Sequence, residues 1–132
     1  MIVLDASAAI DYLVRGGERG EWVRERVVRE ADLVAPHVID LEVVSALRQL
    51  VARAEVSLRQ AENALGDFVD LDLTRYPVTT FLDRIWRLRT VLTPYDAAYV
   101  ALGEALPSPL LTTDSRLARA HGHRAKIVAY AG

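Results

Sequence analysis

Short aliphatic runs alternate along this chain with longer stretches of helical period, and that alternation limits the fold more than any other feature. Ile2-Val3-Leu4, Leu33-Val34-Ala35, Leu110-Leu111-Thr112 and Ile127-Val128-Ala129 are runs of this kind. Each reads as a short strand, and Ile2 to Leu4, placed directly before a helix, suits a buried parallel one. Val69-Asp70-Leu71-Asp72-Leu73 alternates strictly and predicts a strand with one wet face.

Helical spacing fills the intervals. The first helix is expected from about Ser7 to Val14, stopping at Arg15-Gly16-Gly17, with Gly16 to Gly20 as a plain connector. A second is expected around Trp22 to Glu30, and Pro36 opens a long helical segment to about Arg53. Ser57 reads as the cap of a helix through Val69, and Phe81, Ile85, Leu88 and Leu92 share a helix face. Thr93-Pro94 starts a helix reaching about Leu106, and Ser115 to His121 makes a short one. The resulting order, β-α-α-β-α-α-β-α-α-β-α-β, predicts a three-layer α/β/α domain around a mainly parallel sheet. At 132 residues, the expectation is one domain over 1–132 with a core large enough to need no staples.

Composition excludes several classes. With no cysteine, disulfides and thiolate metal sites are out. No basic leader precedes Ile2 and no apolar stretch reaches membrane-spanning length, so a cytoplasmic protein without a membrane role is expected. The net charge of −2 is not that of a typical nucleic-acid binder. Lys126 is the sole lysine among 16 basic residues, and arginine grips phosphate with a bidentate fork.

The informative residues are acids at strand-to-helix junctions. Asp5 ends the first run, Asp114 follows Leu110 to Thr113, and Asp96 follows Thr93-Pro94. In an alternating strand and helix fold such junctions gather at one sheet edge. Each acid also has a plain explanation as a helix-capping or first-turn residue, and singly Asp96 and Asp114 read that way first. Glu42 resists such a reading, because its helical neighbours Val38, Ile39, Ser45 and Ala46 form an apolar-to-small stripe. A partly buried carboxylate there needs a partner, and Asp40 on the same helix is a rival. Acids gathered in one place repel unless a cation holds them, and all-oxygen ligands suit magnesium. Setting those four acids aside leaves the rest of the chain at +2. The histidines, His37, His121 and His123, have no zinc-site spacing and read as surface or capping residues.

Four stretches carry a resemblance: Ile2-Val3-Leu4-Asp5-Ala6-Ser7-Ala8, Leu41 to Leu47, Tyr95 to Leu102, and Leu110 to Leu117 with its Thr112-Thr113-Asp114-Ser115-Arg116 segment. Together, and in this order, they resemble the PIN-domain family, most closely the VapC toxins of toxin–antitoxin pairs. The resemblance implies an endoribonuclease dependent on Mg²⁺ or Mn²⁺, with the acidic quartet Asp5, Glu42, Asp96 and Asp114. It implies Asp5 and Asp96 as direct metal ligands, Asp114 binding through water or a second ion, and Glu42 orienting the attacking water. Ser7, Thr112 and Arg116 are supporting candidates, Arg116 as a phosphate contact. Ser45 stands where relatives often carry asparagine. RNA as substrate, a VapB-like antitoxin and a homodimer follow from the same resemblance, with Leu65, Phe68 and Trp86 as candidate dimer contacts.

Two alternatives remain at this level: a phosphoacceptor receiver-like signalling domain and a non-catalytic PIN-like binding module. The first wants paired acids after the first strand and a lysine after the last. Asp5 has no acidic neighbour, and Lys126 precedes the last run.

Overall fold

The computed structural model describes residues 1–14, 16–30 and 32–132. Five strands form one sheet: β1 (Ile2–Leu4), β2 (Leu33–Pro36), β3 (Leu73–Tyr76), β4 (Leu110–Thr112) and β5 (Ile127–Ala129). Every pairing is parallel, in the order β3-β2-β1-β4-β5. The helices are α1 (Ala6–Val14), α2 (Gly17–Arg29), α3 (Ile39–Ala52), α4 (Leu58–Asp70), α5 (Leu82–Arg87), α6 (Pro94–Ala105) and α7 (Ser115–Ala118), with a 3₁₀ turn at Val78–Phe81.

Handedness sorts these helices into layers. The chain steps from β1 to β2 to β3 in one direction, then returns across the sheet to β4 on the far side of β1. Right-handed crossovers require the helices of the outward and return journeys to lie on opposite faces. Accordingly α1 packs with α2, α3 and α4, while α5 and α6 pack together and α6 lies on β1, β2 and β4. The core fills both sides of the sheet: Val3, Leu4, Leu110 and Leu111 are wholly buried, with Ala8, Ile39 and Val43 on one side and Ala97, Val100 and Leu102 on the other. The expected three-layer architecture is present, and its sheet is entirely parallel. Its strand order also separates it from a receiver domain, whose sheet runs 2-1-3-4-5. Lys126 immediately precedes β5, at the strand end opposite Asp5.

Several boundaries differ from expectation for physical reasons. Gly17 is not connector but the first residue of α2, taking φ +80° there; the expected stop at Arg15 falls outside the described residues. Pro36 closes β2 instead of opening a helix, pairing with Tyr76, and α3 begins only at Ile39. Val69 and Asp70 belong to α4, because Ser57 and Gln60 form a reciprocal capping box that drives the helix on with Ala61, Ala64 and Phe68 buried. The edge strand β3 therefore starts at Leu73 and carries polar Thr74 and Arg75. The helix expected over Phe81 to Leu92 contracts to a 3₁₀ turn and α5, and the helix after Asp114 ends at Ala118, short of His121. Phe68 is core, which leaves Leu65 and Trp86 as the exposed members of the suggested dimer contacts. Among the described residues no helix is long and apolar enough to cross a membrane.

The end of α3 stores strain. Glu55 N–H donates to Leu50 O (2.9 Å) and Ala54 N–H to Val51 O (3.0 Å), with Ala54 at φ +56°. That pattern usually employs glycine, since an L-residue in this conformation costs about 1–2 kcal/mol. Ala54→Gly should therefore raise unfolding free energy by about 1 kcal/mol in urea titrations. A loss of stability would show that the turn is not strained.

Candidate active site

Strands β1 and β4 are neighbours at the place where the strand order reverses, the usual location of a ligand crevice in parallel sheets. Asp5 follows β1 directly, and its backbone N–H donates to Leu111 O on β4 (3.3 Å). Its side chain caps α1: Oδ1 accepts from Ala8 N–H (2.9 Å) and from Ser7 Oγ (2.7 Å). Ser7 Oγ lies 3.2 Å from Thr112 Oγ1 and accepts from Thr113 N–H (3.1 Å). Thr112 Oγ1 in turn accepts from Asp114 N–H (3.0 Å). Two short polar residues thus tie the end of β1 to the end of β4, and hold Asp5 and Asp114 in one frame. Ser7 and Thr112 act here as anchors of the acids.

The remaining acids arrive on helices. Asp96 sits in the first turn of α6, where its own N–H donates to the capping Thr93 Oγ1 (3.2 Å). Its carboxylate takes no part in that cap. Asp114, by contrast, does cap α7, accepting from Arg116 N–H (2.9 Å). Arg116 Nη2 bridges the two acids, at 3.0 Å from Asp114 Oδ2 and 3.4 Å from Asp96 Oδ2. Glu42 projects from α3 and accepts from Tyr99 Oη (2.5 Å). Asp40, the rival acid, is occupied by Arg75 Nε (2.7 Å) on β3.

The electrostatics join all four acids. Burial pushes the Asp5 carboxyl up to about 6; hydrogen bonds from Thr112, Ala8 and Ser7 oppose the shift and the Asp114 charge adds to it. Burial likewise raises Asp96, with Arg116 opposing and Asp114 reinforcing. Glu42 is raised by burial and by Asp96, against the Tyr99 hydrogen bond. Burial also pushes Asp114 up, but Arg116 and the backbone N–H groups of Arg116 and Leu117 outweigh it and hold that carboxyl low. Tyr99, buried beside Glu42 and Asp5, is held far above its ordinary range and stays a donor.

Some participants were not anticipated. Tyr99 is three residues after Asp96 on the same helix, a spacing that places both on neighbouring positions of one face. Asp11 is another: it is buried, accepts from Thr113 Oγ1 (2.5 Å) and pairs with Arg19 Nε (3.2 Å). Its position four residues after Ser7 was the available signal. Two clefts flank the acids. One, about 440 Å³, is lined by Ser7, Asp11, Arg19, Glu42 and Thr113 among others; the other, about 660 Å³, by Asp96, Arg116, Arg119 and His121 among others. His37 is exposed, and His123 Nδ1 accepts from Ala125 N–H (3.1 Å).

The donor set fits a hard divalent cation. Asp5 is only 5 % exposed, and among the described residues no cationic side chain lies within 4.0 Å of it. A buried carboxylate in that state needs a compensating charge. Among the described residues no three acids or histidines stand close enough to ligate one ion together. A divalent ion there would have at most two of these residues as direct ligands and water in its remaining positions.

Comparison with known proteins decides the family. The PIN domain model matches residues 2–122. The chain belongs to the PIN-domain family. It is 42% identical to Ribonuclease VapC12 of Mycobacterium tuberculosis over 127 residues, covering 96% of this chain and 97% of that one. It is 43% identical to VapC ribonuclease Mb0985 of Mycobacterium bovis over 117 residues, covering 89% and 88%. The chain is thus of the VapC type. Among solved structures it is similar to Mycobacterium tuberculosis VapC20, a toxin that cleaves the sarcin–ricin loop, with TM-score 0.68 and 15% identity over 89% of this chain and 93% of that one. PAE2754 from Pyrobaculum aerophilum matches at TM-score 0.68 and 21% identity, covering 96% and 81%. These two likenesses concern the fold.

A prediction about stability follows from Asp5. Its folded pKa, about 6, exceeds the ordinary 3.8, so between those values the folded chain binds more protons. Stability therefore falls as pH rises through that window, by about 3 kcal/mol at pH 8 without metal. Asp5→Asn removes this penalty. In EDTA the variant should melt above the unsubstituted protein at pH 8, with the gap shrinking by about half at pH 5. A variant that melts lower at pH 8 contradicts the uncompensated buried charge.

Proposed function

We propose that this chain is the toxin of a VapBC-type toxin–antitoxin pair and an endoribonuclease that hydrolyses RNA phosphodiester bonds with a divalent cation. The observation that supports it most is the buried Asp5 carboxylate, without a cationic partner among the described residues and electrostatically joined to Asp114, in a chain 42% identical to a VapC ribonuclease. Residues 1–132 act as one PIN domain in the cytoplasm. A VapB-like antitoxin would restrain it, and Leu65 and Trp86 are exposed faces available to a homodimer.

Asp5 and Asp96 would hold the ion, Mg²⁺ or Mn²⁺, and Asp114 would reach it through water or hold a second one. When bound, the cation would activate water and offset charge building on the scissile phosphate. The chain's own groups do the positioning. Asp5 is fixed by Ala8 N–H and Ser7 Oγ, so its second oxygen keeps one direction. Tyr99 donates to Glu42 Oε1, which leaves the other oxygen to accept a proton from water in the cleft. The raised Glu42 pKa makes it a better proton acceptor than an exposed glutamate. In-line attack gives a 5′-phosphate and a 3′-hydroxyl without recruiting the ribose 2′-hydroxyl.

The test is direct. Purified protein incubated with total RNA should cleave it in Mg²⁺ and stop in EDTA. Asp5→Asn and Asp96→Asn should each lower the rate at least about a hundredfold. Cleavage that survives EDTA, or survives both substitutions, overturns the reading and favours a binding module.

A further inference from the structure

The two clefts beside the acids differ in free positive charge. Among the described residues, the one arginine lining the cleft with Ser7 and Glu42 is Arg19, which is already paired with Asp11 at 3.2 Å. The larger groove beyond Asp96 is walled by Arg89 to Pro94 on one side and by Arg116 to His121 on the other. Among the described residues Asp96 is its sole acidic lining residue. Arg116 is engaged by Asp96 and Asp114, but among the described residues Arg89 and Arg119 have no carboxylate within 4.0 Å. Both are exposed.

Arg89 is also held in place. Its guanidinium stacks 4.5 Å over the Trp86 ring, and Nη1 donates to Trp86 O (3.0 Å). A cation positioned this way loses little freedom on gripping a phosphate. Trp86 is 65% exposed and Tyr95, between the groove residues Pro94 and Asp96, is 57% exposed. Unpaired arginines along a groove, with exposed aromatic rings beside them, form the combination that binds single-stranded nucleic acid through its backbone and base faces.

We propose that the groove from Asp96 past Arg119 to Arg89 is the track for the single-stranded RNA flanking the cleaved bond, with Arg89 and Arg119 holding its phosphates. This rests on the ribonuclease reading above. RNA then leaves the acids on the groove side, where the described residues carry arginines with no carboxylate within 4.0 Å, whereas Arg19 of the opposite cleft is engaged by Asp11.

Binding is measured by fluorescence anisotropy with a labelled pool of random-sequence single-stranded RNA, using Asp5→Asn protein so that the pool stays intact. Adding Arg89→Gln and Arg119→Gln should weaken binding about tenfold and lower the salt slope by about 1.4, at roughly 0.7 for each phosphate that is no longer neutralised. The matched pair Arg53→Gln and Arg59→Gln removes the same charge far from the groove and should leave both readings unchanged. Thermal midpoints, expected to be unaltered, confirm that the variants fold. Affinity and slope equal to those of Asp5→Asn alone, or an equal loss in the control pair, overturn the track. If the unsubstituted protein cleaves the pool while the groove variants bind it as before, the track falls and the ribonuclease reading stands. If it neither cleaves nor binds the pool, both fall.

Discussion

Negative charge placed in a poorly hydrated pocket is the constraint from which the rest of this molecule follows. Asp5 is buried at the end of β1, Asp114 stands at the end of the adjoining strand, and Asp96 and Glu42 enter from helices on opposite faces. Left alone, such carboxylates would separate or take up protons. They stay because the backbone leaves them no alternative. Asp5 is locked by its cap and by Leu111, Asp114 by Thr112 and its own cap, and Glu42 by Tyr99. Arg116 offsets the charge of two of them.

The parallel sheet makes this possible with little machinery. The order β3-β2-β1-β4-β5 puts the first and fourth strands side by side, although more than a hundred residues separate Leu4 from Leu111. The reversal of direction at that pair sends α3 and α6 to opposite faces, so each delivers one acid over the same strand ends. The site is therefore a product of topology, and the core that supports it lies directly beneath in Val3, Leu4, Leu110 and Leu111.

Much of this is legible in the residues themselves. The short apolar runs read correctly as strands of a parallel sheet, Ile2 to Leu4 as a buried one, while the half-buried β5 lies at the sheet edge, and Ser57 and Thr93 mark their helix starts. Val69 to Leu73 misleads because alternation is a local signal, while a strong cap upstream and packing of Phe68 prolong the helix. Pro36 misleads because an end of β2 tolerates proline as well as a helix start does. The acids stand out by position, and their anchors Ser7 and Thr112 enter with the family resemblance, yet the partners Tyr99 and Asp11 do not show. The hydrogen bond from Tyr99 to Glu42 spans 57 residues and the one from Thr113 to Asp11 spans 102. Contacts of that reach depend on the fold and leave no periodicity to read. The arrest of α3 at Ala54 is hidden because alanine occupies a position where glycine would have announced it.

Crystals of the protein soaked in Mn²⁺ and measured for anomalous scattering would show whether the gathered acids share a cation. A peak is expected at coordination distance from Asp5 and Asp96, with Asp114 nearby. A well-ordered, metal-saturated crystal with no peak there, or with Mn²⁺ bound only at other surfaces, would mean that the buried charge is not balanced by a metal.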